Sequence, residues 1–305
     1  RHTRYISVTG VQTCALPIYR TTFDYQPKAG TRTFLYFEGA NYEAIAYLNG
    51  EKLGTHVGGF TPFTFEISKQ VRSGRNSVVV KVDNKRHREG IPTINTDWWN
   101  YGGLTRGVSL VEVPDTFVQD YFLQLRKGST DLIEGWIKLN GAKLRQRVSI
   151  RIPEAGVDQV VQTDDAGFAA VSIRRSLSLW SPESPKLYDV TVAAESDTVR
   201  DRIGFRSIEV KGTDILLNGR STFLRGVSIH EEAPFRAGRA FSDEDARTLL
   251  GWAKELGCNY VRLAHYPHNE NIIREADRLG LMVWSETPVY WAIDWENPEI
   301  GRAHV

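Results

Sequence analysis

The sequence predicts a multidomain fold in which two antiparallel β-sandwiches precede a set of parallel βα units. Three observations predict it. Short runs alternate with period two between turn residues over the first part of the chain, a second such stretch follows a proline, and strands alternate with helices after Lys211. A length of 305 residues accommodates two or three domains of roughly 100–150 residues each.

The first sandwich is predicted over residues 20–114. Asn49 and Gly50 join two alternating runs and form the strongest short hairpin signal, because both residues tolerate positive φ. Pro114 ends the segment, since proline cannot continue a ladder. A jelly-roll sandwich fits this pattern best. The strand-like runs are Phe34–Phe37, Ala44–Leu48, Phe63–Ile67, Ser77–Val82 and Val108–Val113.

The second sandwich is predicted over residues 115–210. Alternation recurs in Val148–Ile152 and Val190–Ala193, and turn residues occur at Asn140-Gly141 and at 164–167. About seven short strands in a domain of about a hundred residues favour an immunoglobulin-like sandwich.

Parallel βα units are predicted over residues 211–300. A strand at Phe223–Val227 leads to a helix for which Ser242 is the predicted cap, with Asp245 three residues later. Gly257 is placed to end that helix in the left-handed conformation. A second strand, a second helix and a third strand then follow, at 258–263, 272–279 and 281–284.

Composition and charge exclude several classes of protein. The 38 Lys and Arg against 37 Asp and Glu give a net charge of +1, so we expect neither nucleic acid nor a membrane surface as a partner. Cys14 and Cys258 are too few for a disulfide framework or a thiolate metal cluster. No run of about 18 apolar residues occurs that would span a bilayer.

Both ends of the sequence lack the patterns of folded protein. We expect residues 1–19 to be a non-native or disordered extension and residues 301–305 to be a non-native tail, both similar to translated sequencing adapters. No signal peptide can be identified under that hypothesis, so the sequence does not predict a compartment.

Short motifs occur in a fixed order through all three segments. They are Leu48-Asn49-Gly50, 58–63 and 97–106 in the first, Leu179–Pro182 and Gly204-Phe205-Arg206 in the second, and Leu217-Asn218-Gly219, Leu224–Val227, His230-Glu231, Val261-Arg262 and His265-Tyr266-Pro267 in the third. Each motif is weak alone, but their order and spacing resemble glycoside hydrolase family 2, which includes β-galactosidases and β-glucuronidases.

The resemblance implies a retaining exo-β-glycosidase of the galactosidase or glucuronidase type with a (β/α)8 (TIM) barrel, which needs about 200–250 residues. Only the first three βα units of an incomplete barrel are expected here. Members of the family use two glutamates about 5–5.5 Å apart, both on later strands, so we expect no catalytic residue in this chain. The alternative is a non-catalytic carbohydrate-binding or adhesive protein built of sandwiches.

The resemblance also implies substrate contacts at the ends of the barrel strands. His265 corresponds to a histidine that hydrogen-bonds sugar hydroxyls, and His230 and Glu286 lie at equivalent positions after their strands. Glu231 is either a further substrate contact or an anchor behind the site. Asp97 lies in a loop that in this family reaches the barrel mouth and binds the sugar through a carboxylate.

Aromatic residues near these positions have two interpretations. We predict domain packing for Trp99, and Trp98 stays open between packing and sugar contact. Tyr290, Trp291 and Trp295 form either a stacking wall or part of the core.

The resemblance gives no support for a cofactor or a metal site. Ser285 replaces one member of an acidic pair that the family often has, and Tyr290 and Ala292 replace residues that help to hold magnesium in the β-galactosidases. We therefore expect no cofactor, and carbohydrate as the substrate. A homo-oligomeric full-length protein is compatible with the sequence.

Overall fold

The computed structural model describes residues 2–5, 17–291, 293 and 295–296. It contains two β-sandwiches followed by a parallel sheet with two helices, so the predicted fold class is confirmed. No helix among the described residues is long and apolar enough to cross a bilayer. Residues 301–305, expected to be a non-native tail, lie outside this description.

The first sandwich consists of two four-stranded antiparallel sheets and a short two-stranded pair. Leu35 and Phe37 from one sheet pack on Val80 and Val82 from the other, in a core that alternation places between the layers. The strands are β1 (His2–Tyr5), β2 (Ile18–Tyr25), β3 (Thr31–Phe37), β4 (Ala40–Asn41), β5 (Glu43–Leu48), β6 (Glu51–Val57), β7 (Phe63–Glu66), β8 (Gly74–Asp83), β9 (Gly103–Leu104) and β10 (Val108–Pro114).

The strand order in this sandwich is β1-β10-β3-β7 in one sheet and β2-β8-β5-β6 in the other, with β4 paired to β9. Asn49 and Gly50 have φ values of 51° and 89°, so the predicted hairpin between β5 and β6 is confirmed. Within the stretch expected to be a non-native or disordered extension, β1 pairs with β10 at the sheet edge, and β2 begins at Ile18.

The second sandwich has the three-stranded sheet β11-β12-β15 facing the four-stranded sheet β14-β13-β16-β17, the seven strands predicted for an immunoglobulin-like domain. Ile133 and Ile137 of one sheet pack with Ile150 of the other in a continuous apolar core. The strands are β11 (Thr116–Leu125), β12 (Leu132–Gly141), β13 (Arg147–Ile152), β14 (Val157–Gln162), β15 (Phe168–Arg174), β16 (Tyr188–Ala193) and β17 (Thr198–Ile203).

The third segment begins with a small antiparallel sheet and continues as parallel βα units. The parallel sheet has the order β21-β22-β23, with α1 and α2 as the crossovers. The elements are β18 (Ile208–Lys211), β19 (Asp214–Leu217), β20 (Arg220–Ser221), β21 (Gly226–Ile229), α1 (Asp243–Glu255), β22 (Tyr260–Leu263), α2 (Glu270–Leu279) and β23 (Met282–Ser285).

Local signals determine where the two helices begin and end. Ser242 and Asp245 form a capping box at the start of α1, as predicted, and Asn269 caps α2 through the backbone N–H of Asn271. Gly257 and Gly280 follow the helices with φ values of 77° and 74°, the left-handed conformation that ends a helix.

The predicted strand at Phe223–Val227 is wrong in its bounds, because pairing begins only at Gly226. The side chain of Asn259 accepts from the backbone N–H of Arg225 and donates to the carbonyl of Phe223, so these backbone groups bond to a side chain instead of a ladder. Phe223 is 78% exposed and does not join the core.

Several contacts attach the second sandwich to the third segment, among them an ion pair of Arg206 with Asp277 at 2.9 Å. Trp180, fully buried, donates its indole N–H to the carbonyl of Asp277 at 2.8 Å. Gly280 lies so close to Pro182 that an added Cβ would stand 2.5 Å from its carbonyl oxygen. These contacts hold α2, and with it the parallel sheet, against the sandwich.

Candidate functional site

Candidate side chains gather at the carboxyl edge of the parallel sheet. His230 follows β21 directly, His265 lies two residues after β22, and Glu286 follows β23 directly. Parallel strands end at the same edge, so the three side chains lie together there, and the space that they border is called the cleft below. The loop 84–102 of the first sandwich reaches the same edge and brings Asp97 to it.

His265, Glu286 and Arg262 form a hydrogen-bonded group in this cleft. His265 Nδ1 is 2.9 Å from Glu286 Oε2, and Arg262 Nε donates to Glu286 Oε1 at 2.5 Å. Burial raises the pKa of Glu286, but the hydrogen bonds from Arg262 and His265 outweigh burial, so its net pKa lies below the ordinary value. Glu286 is therefore an ionised acceptor with both oxygens occupied.

Asp97 approaches the same histidine from the first sandwich. Tyr290 donates its hydroxyl to Asp97 Oδ2 at 2.6 Å, and Asp97 Oδ1 lies 3.9 Å from His265 Nε2. The hydrogen bond from Tyr290 lowers the pKa of Asp97, which is 54% exposed at its side chain. An ionised, accessible acceptor thus faces the cleft.

The pair of Asp97 and His265 suits neighbouring hydroxyl groups. A carboxylate only accepts, so His265 donates its Nδ1 proton to Glu286, and Nε2 is the ring nitrogen that stays available to a ligand. Asp97 supplies an acceptor 3.9 Å from Nε2. Two adjacent hydroxyls of a sugar ring can hydrogen-bond to Nε2 and to Asp97 at once.

His230 completes the polar wall of the cleft. Its ring lies edge-on to His265 with 5.2 Å between centroids. Burial lowers the pKa of His230, and the nearby His265 adds to the effect against the opposing charges of Glu232 and Asp97. Near neutral pH it is an uncharged ring able both to donate and to accept.

The two tryptophans of the loop have opposite surroundings. Trp98 is 6% exposed and packs among aromatic rings, including Tyr266 at 5.3 Å and His265 at 5.7 Å. Trp99 is 69% exposed, so its predicted packing role is wrong. Its backbone N–H bonds to Glu232, which holds the backbone against the third segment while the ring points to solvent.

Glu231 is the candidate that does not face the cleft. It is fully buried, and its Oε2 pairs with Arg106 at 2.8 Å and with Arg239 at 3.5 Å. Its Oε1 accepts the backbone N–H of Asn269 at 2.6 Å. This geometry supports the anchoring alternative for Glu231 over direct contact with a ligand.

Arg106 is a site-forming residue that the sequence reasoning did not select. Its guanidinium makes five hydrogen bonds, two to Glu231 and one to each carbonyl of Glu38, Phe60 and Pro267. The group of five donors is thus fully used between the first sandwich and the third segment. Its place in the motif 97–106 was a signal, but its partner lies 125 positions away.

The aromatics after β23 divide between the two interpretations. Tyr290 packs on His265 with 4.7 Å between ring centroids, whereas Trp291 and Trp295 are 74% and 73% exposed and lie outside any core.

Ala292, named in the magnesium argument, lies outside the described residues. Within the described part, no three His, Cys, Asp or Glu side chains gather as a metal site requires.

The charges of this cleft suit binding and not proton donation. A glycosidase acid needs a raised pKa so that it carries a proton at working pH. Asp97 and Glu286 both have lowered pKa values, and Glu286 is held by two donors. Neither carboxyl has the environment of a general acid.

Two sandwiches before parallel βα units, with a polar cleft at the strand ends, are the architecture of multidomain glycoside hydrolases. Three family models match in succession: the sugar binding domain of glycosyl hydrolases family 2 over residues 9–114, the model described as glycosyl hydrolases family 2 over 116–206, and the TIM barrel domain of that family over 208–298. The chain belongs to glycoside hydrolase family 2.

Relatives and solved structures agree with this assignment. The chain is 34% identical over 270 residues to a Formosa agariphila protein named "Putative beta-glucuronidase", covering 83% of this chain and 32% of that protein. It is 30% identical over 288 residues to a β-galactosidase of Thermoanaerobacter pseudethanolicus, covering 88% of this chain and 38% of the relative. The chain thus spans about a third of the length of these curated relatives.

A solved structure shows the same arrangement of domains. The β-glucuronidase of Bifidobacterium dentium, complexed with coumarin-3-O-glucuronide, superposes with a TM-score of 0.82 at 27% identity. The match covers 89% of this chain and 52% of that structure. The chain therefore corresponds to an N-terminal region of such enzymes.

Proposed function

We propose that this chain is the N-terminal part of a retaining exo-β-glycosidase that removes terminal β-linked galactose or glucuronic acid from glycans. In this proposal Asp97, His265 and His230 contact sugar hydroxyls, Trp98 forms the apolar floor, and Glu286 orients His265. Glu231 acts behind the site by holding the first sandwich against the strand ends.

The observation that carries the proposal is the pair of polar atoms, Asp97 Oδ1 and His265 Nε2, 3.9 Å apart on two different domains. An ionised carboxylate beside an imidazole nitrogen matches adjacent ring hydroxyls, and the buried indole of Trp98 offers an apolar face behind them. Neither Asp97 nor Glu286 suits the general acid, which agrees with the expectation from the family resemblance that both catalytic glutamates lie on later strands.

Sugar binding by the 305-residue chain tests the contacts. We expect methyl β-galactoside or methyl β-glucuronide to bind in an NMR titration, and His265→Ala or Asp97→Asn to weaken binding about tenfold, because each removes a hydrogen bond to a ligand hydroxyl. Asp165→Asn, an exposed aspartate of the second sandwich, is the matched control and should bind normally. Unchanged binding in both site variants would refute the assignment.

Turnover provides an independent test. We expect the 305-residue chain to release no nitrophenol from nitrophenyl β-galactoside or β-glucuronide, whereas a longer protein containing it releases nitrophenol from one of them. In that longer protein, His265→Ala should lower kcat/KM at least tenfold, a loss of about 1.4 kcal/mol of transition-state stabilisation. Release by the 305-residue chain itself would overturn the placement of the catalytic glutamates.

A further inference from the structure

A run of basic residues lies in the loop that carries Asp97. Lys85, Arg86 and Arg88 occur within four positions at the start of the loop 84–102. Lys85 and Arg88 are exposed, whereas Arg86 is half-buried. None of the sugar contacts proposed above uses this run.

Arg86 is directed at the wall of the cleft. Its guanidinium carbon lies 5.9 Å from the centre of the Trp98 ring, and Nη1 donates to the hydroxyl of Thr96, next to Asp97. Nε and Nη2 donate to no described residue, and neither atom is among the buried polar atoms without a partner. Two donors of the guanidinium are therefore open to a ligand or to water.

The charge of Arg86 has no carboxylate partner among the described side chains. Burial lowers its pKa, and among the described residues the positive charge of Arg239 lowers it further. Arg239 is 2% exposed and pairs with Glu231 at 3.5 Å, a carboxylate that it shares with Arg106. An arginine stays protonated in proteins, so Glu231 already balances two cations and does not balance the charge of Arg86.

We propose that Arg86 forms an anion-binding subsite, in which its open donors bind a carboxylate or sulfate group carried by the glycan that occupies the cleft. The planar guanidinium matches the oxygen pairs of both groups. Exposed Lys85 and Arg88 extend the positive surface outward, which suits an acidic polysaccharide. This inference rests on the proposed sugar site and adds the chemical class of ligand that the site prefers.

Paired ligands test the subsite in the 305-residue chain. Methyl β-glucuronide and methyl β-glucoside differ only in the oxidation of C6, and galactose 6-sulfate with galactose forms a matched sulfate pair. We expect an anionic member to bind about tenfold more tightly than its neutral partner, and Arg86→Met to remove that preference while neutral binding changes less than twofold. Arg86→Lys should keep part of the preference for the anionic ligand. If only one of the two pairs shows the preference, that pair identifies the recognised group as carboxylate or as sulfate.

Three outcomes would overturn the subsite. An equal loss of neutral and anionic binding in Arg86→Met would show that Arg86 only positions the loop through Thr96. If Arg88→Met lost as much anion preference as Arg86→Met, the preference would come from the general positive charge of the loop and not from a defined contact with Arg86. Neutral binding without any anion preference would refute the subsite and leave the sugar site intact, whereas no binding of any sugar would refute both.

Discussion

Replacing Arg106 by methionine should separate the first sandwich from the third segment. The side chains of Arg106 and Glu231 are 2% and 0% exposed, so the variant leaves a buried carboxylate with one of its two cationic partners. Three backbone carbonyls also lose their donor. Removing the Arg106 guanidinium therefore weakens the junction between the first sandwich and the third segment, which borders the cleft.

The expected loss of stability depends on the partners that Glu231 keeps in the variant. Removing one partner of a buried ion pair costs about 3–5 kcal/mol. Arg239, 3.5 Å from the carboxylate, and the amide of Asn269 still stabilise Glu231, so the lower end of that range applies. With a urea m-value of about 2–3 kcal/mol/M, a cost of about 3 kcal/mol moves the unfolding midpoint of the junction down by about 1 M.

Urea unfolding followed by tryptophan fluorescence measures the shift, since Trp98 lies at this junction. Arg174→Met is the control, because it removes an exposed ion pair with Asp131 and should leave the midpoint unchanged. The double variant Arg106→Met with Glu231→Met should lose further stability, because buried Arg239 then has no carboxylate partner among the described side chains. A midpoint for Arg106→Met equal to that of the wild type would refute the reasoning.

Two further predictions concern pH and chain conformation. Burial lowers the pKa of His268 to about 4, below the unfolded value of about 6.5, so between these values only the unfolded chain binds the extra proton. The free energy of unfolding therefore falls as pH drops through that window, by up to about 1.4 kcal/mol per pH unit. His268→Gln should flatten the slope of unfolding free energy against pH and exposed His87→Gln should not, whereas equal slopes in all three proteins would contradict the prediction. Gly280→Ala should cost more stability than Gly257→Ala. Both glycines have left-handed φ, but an added Cβ at Gly280 would collide with Pro182, whereas one at Gly257 would enter open space. Thermal unfolding compares the two variants, and equal costs of about 1 kcal/mol would show that the contact with Pro182 relaxes.

Local signals in the sequence predicted the features that depend on neighbouring residues. The hairpin at Asn49-Gly50 and the capping box of Ser242 with Asp245 each form within four positions, so the chemistry that forms them is visible in the sequence. The bounds of the first parallel strand failed because Asn259, 34 positions from Arg225, takes the backbone hydrogen bonds there.

The candidate site was predictable at the strand ends and less so between domains. His265 and Glu286 follow their strands, and parallel topology brings them together whatever the rest of the chain does. Burial of Trp98 beside an exposed Trp99, and the pairing of Arg106 with Glu231, depend on how two domains meet. Periodicity along the chain carries no information about such a junction.

The loop 84–102 belongs to a domain with its own apolar core, yet its tip forms one wall of a cleft whose other walls are barrel strand ends. Under the proposed function, ligand preference can therefore diverge through changes in a surface loop while the strand ends opposite it keep their sequence. The loop's own contacts with the third segment, through Trp98 and Trp99, limit which of its positions can change.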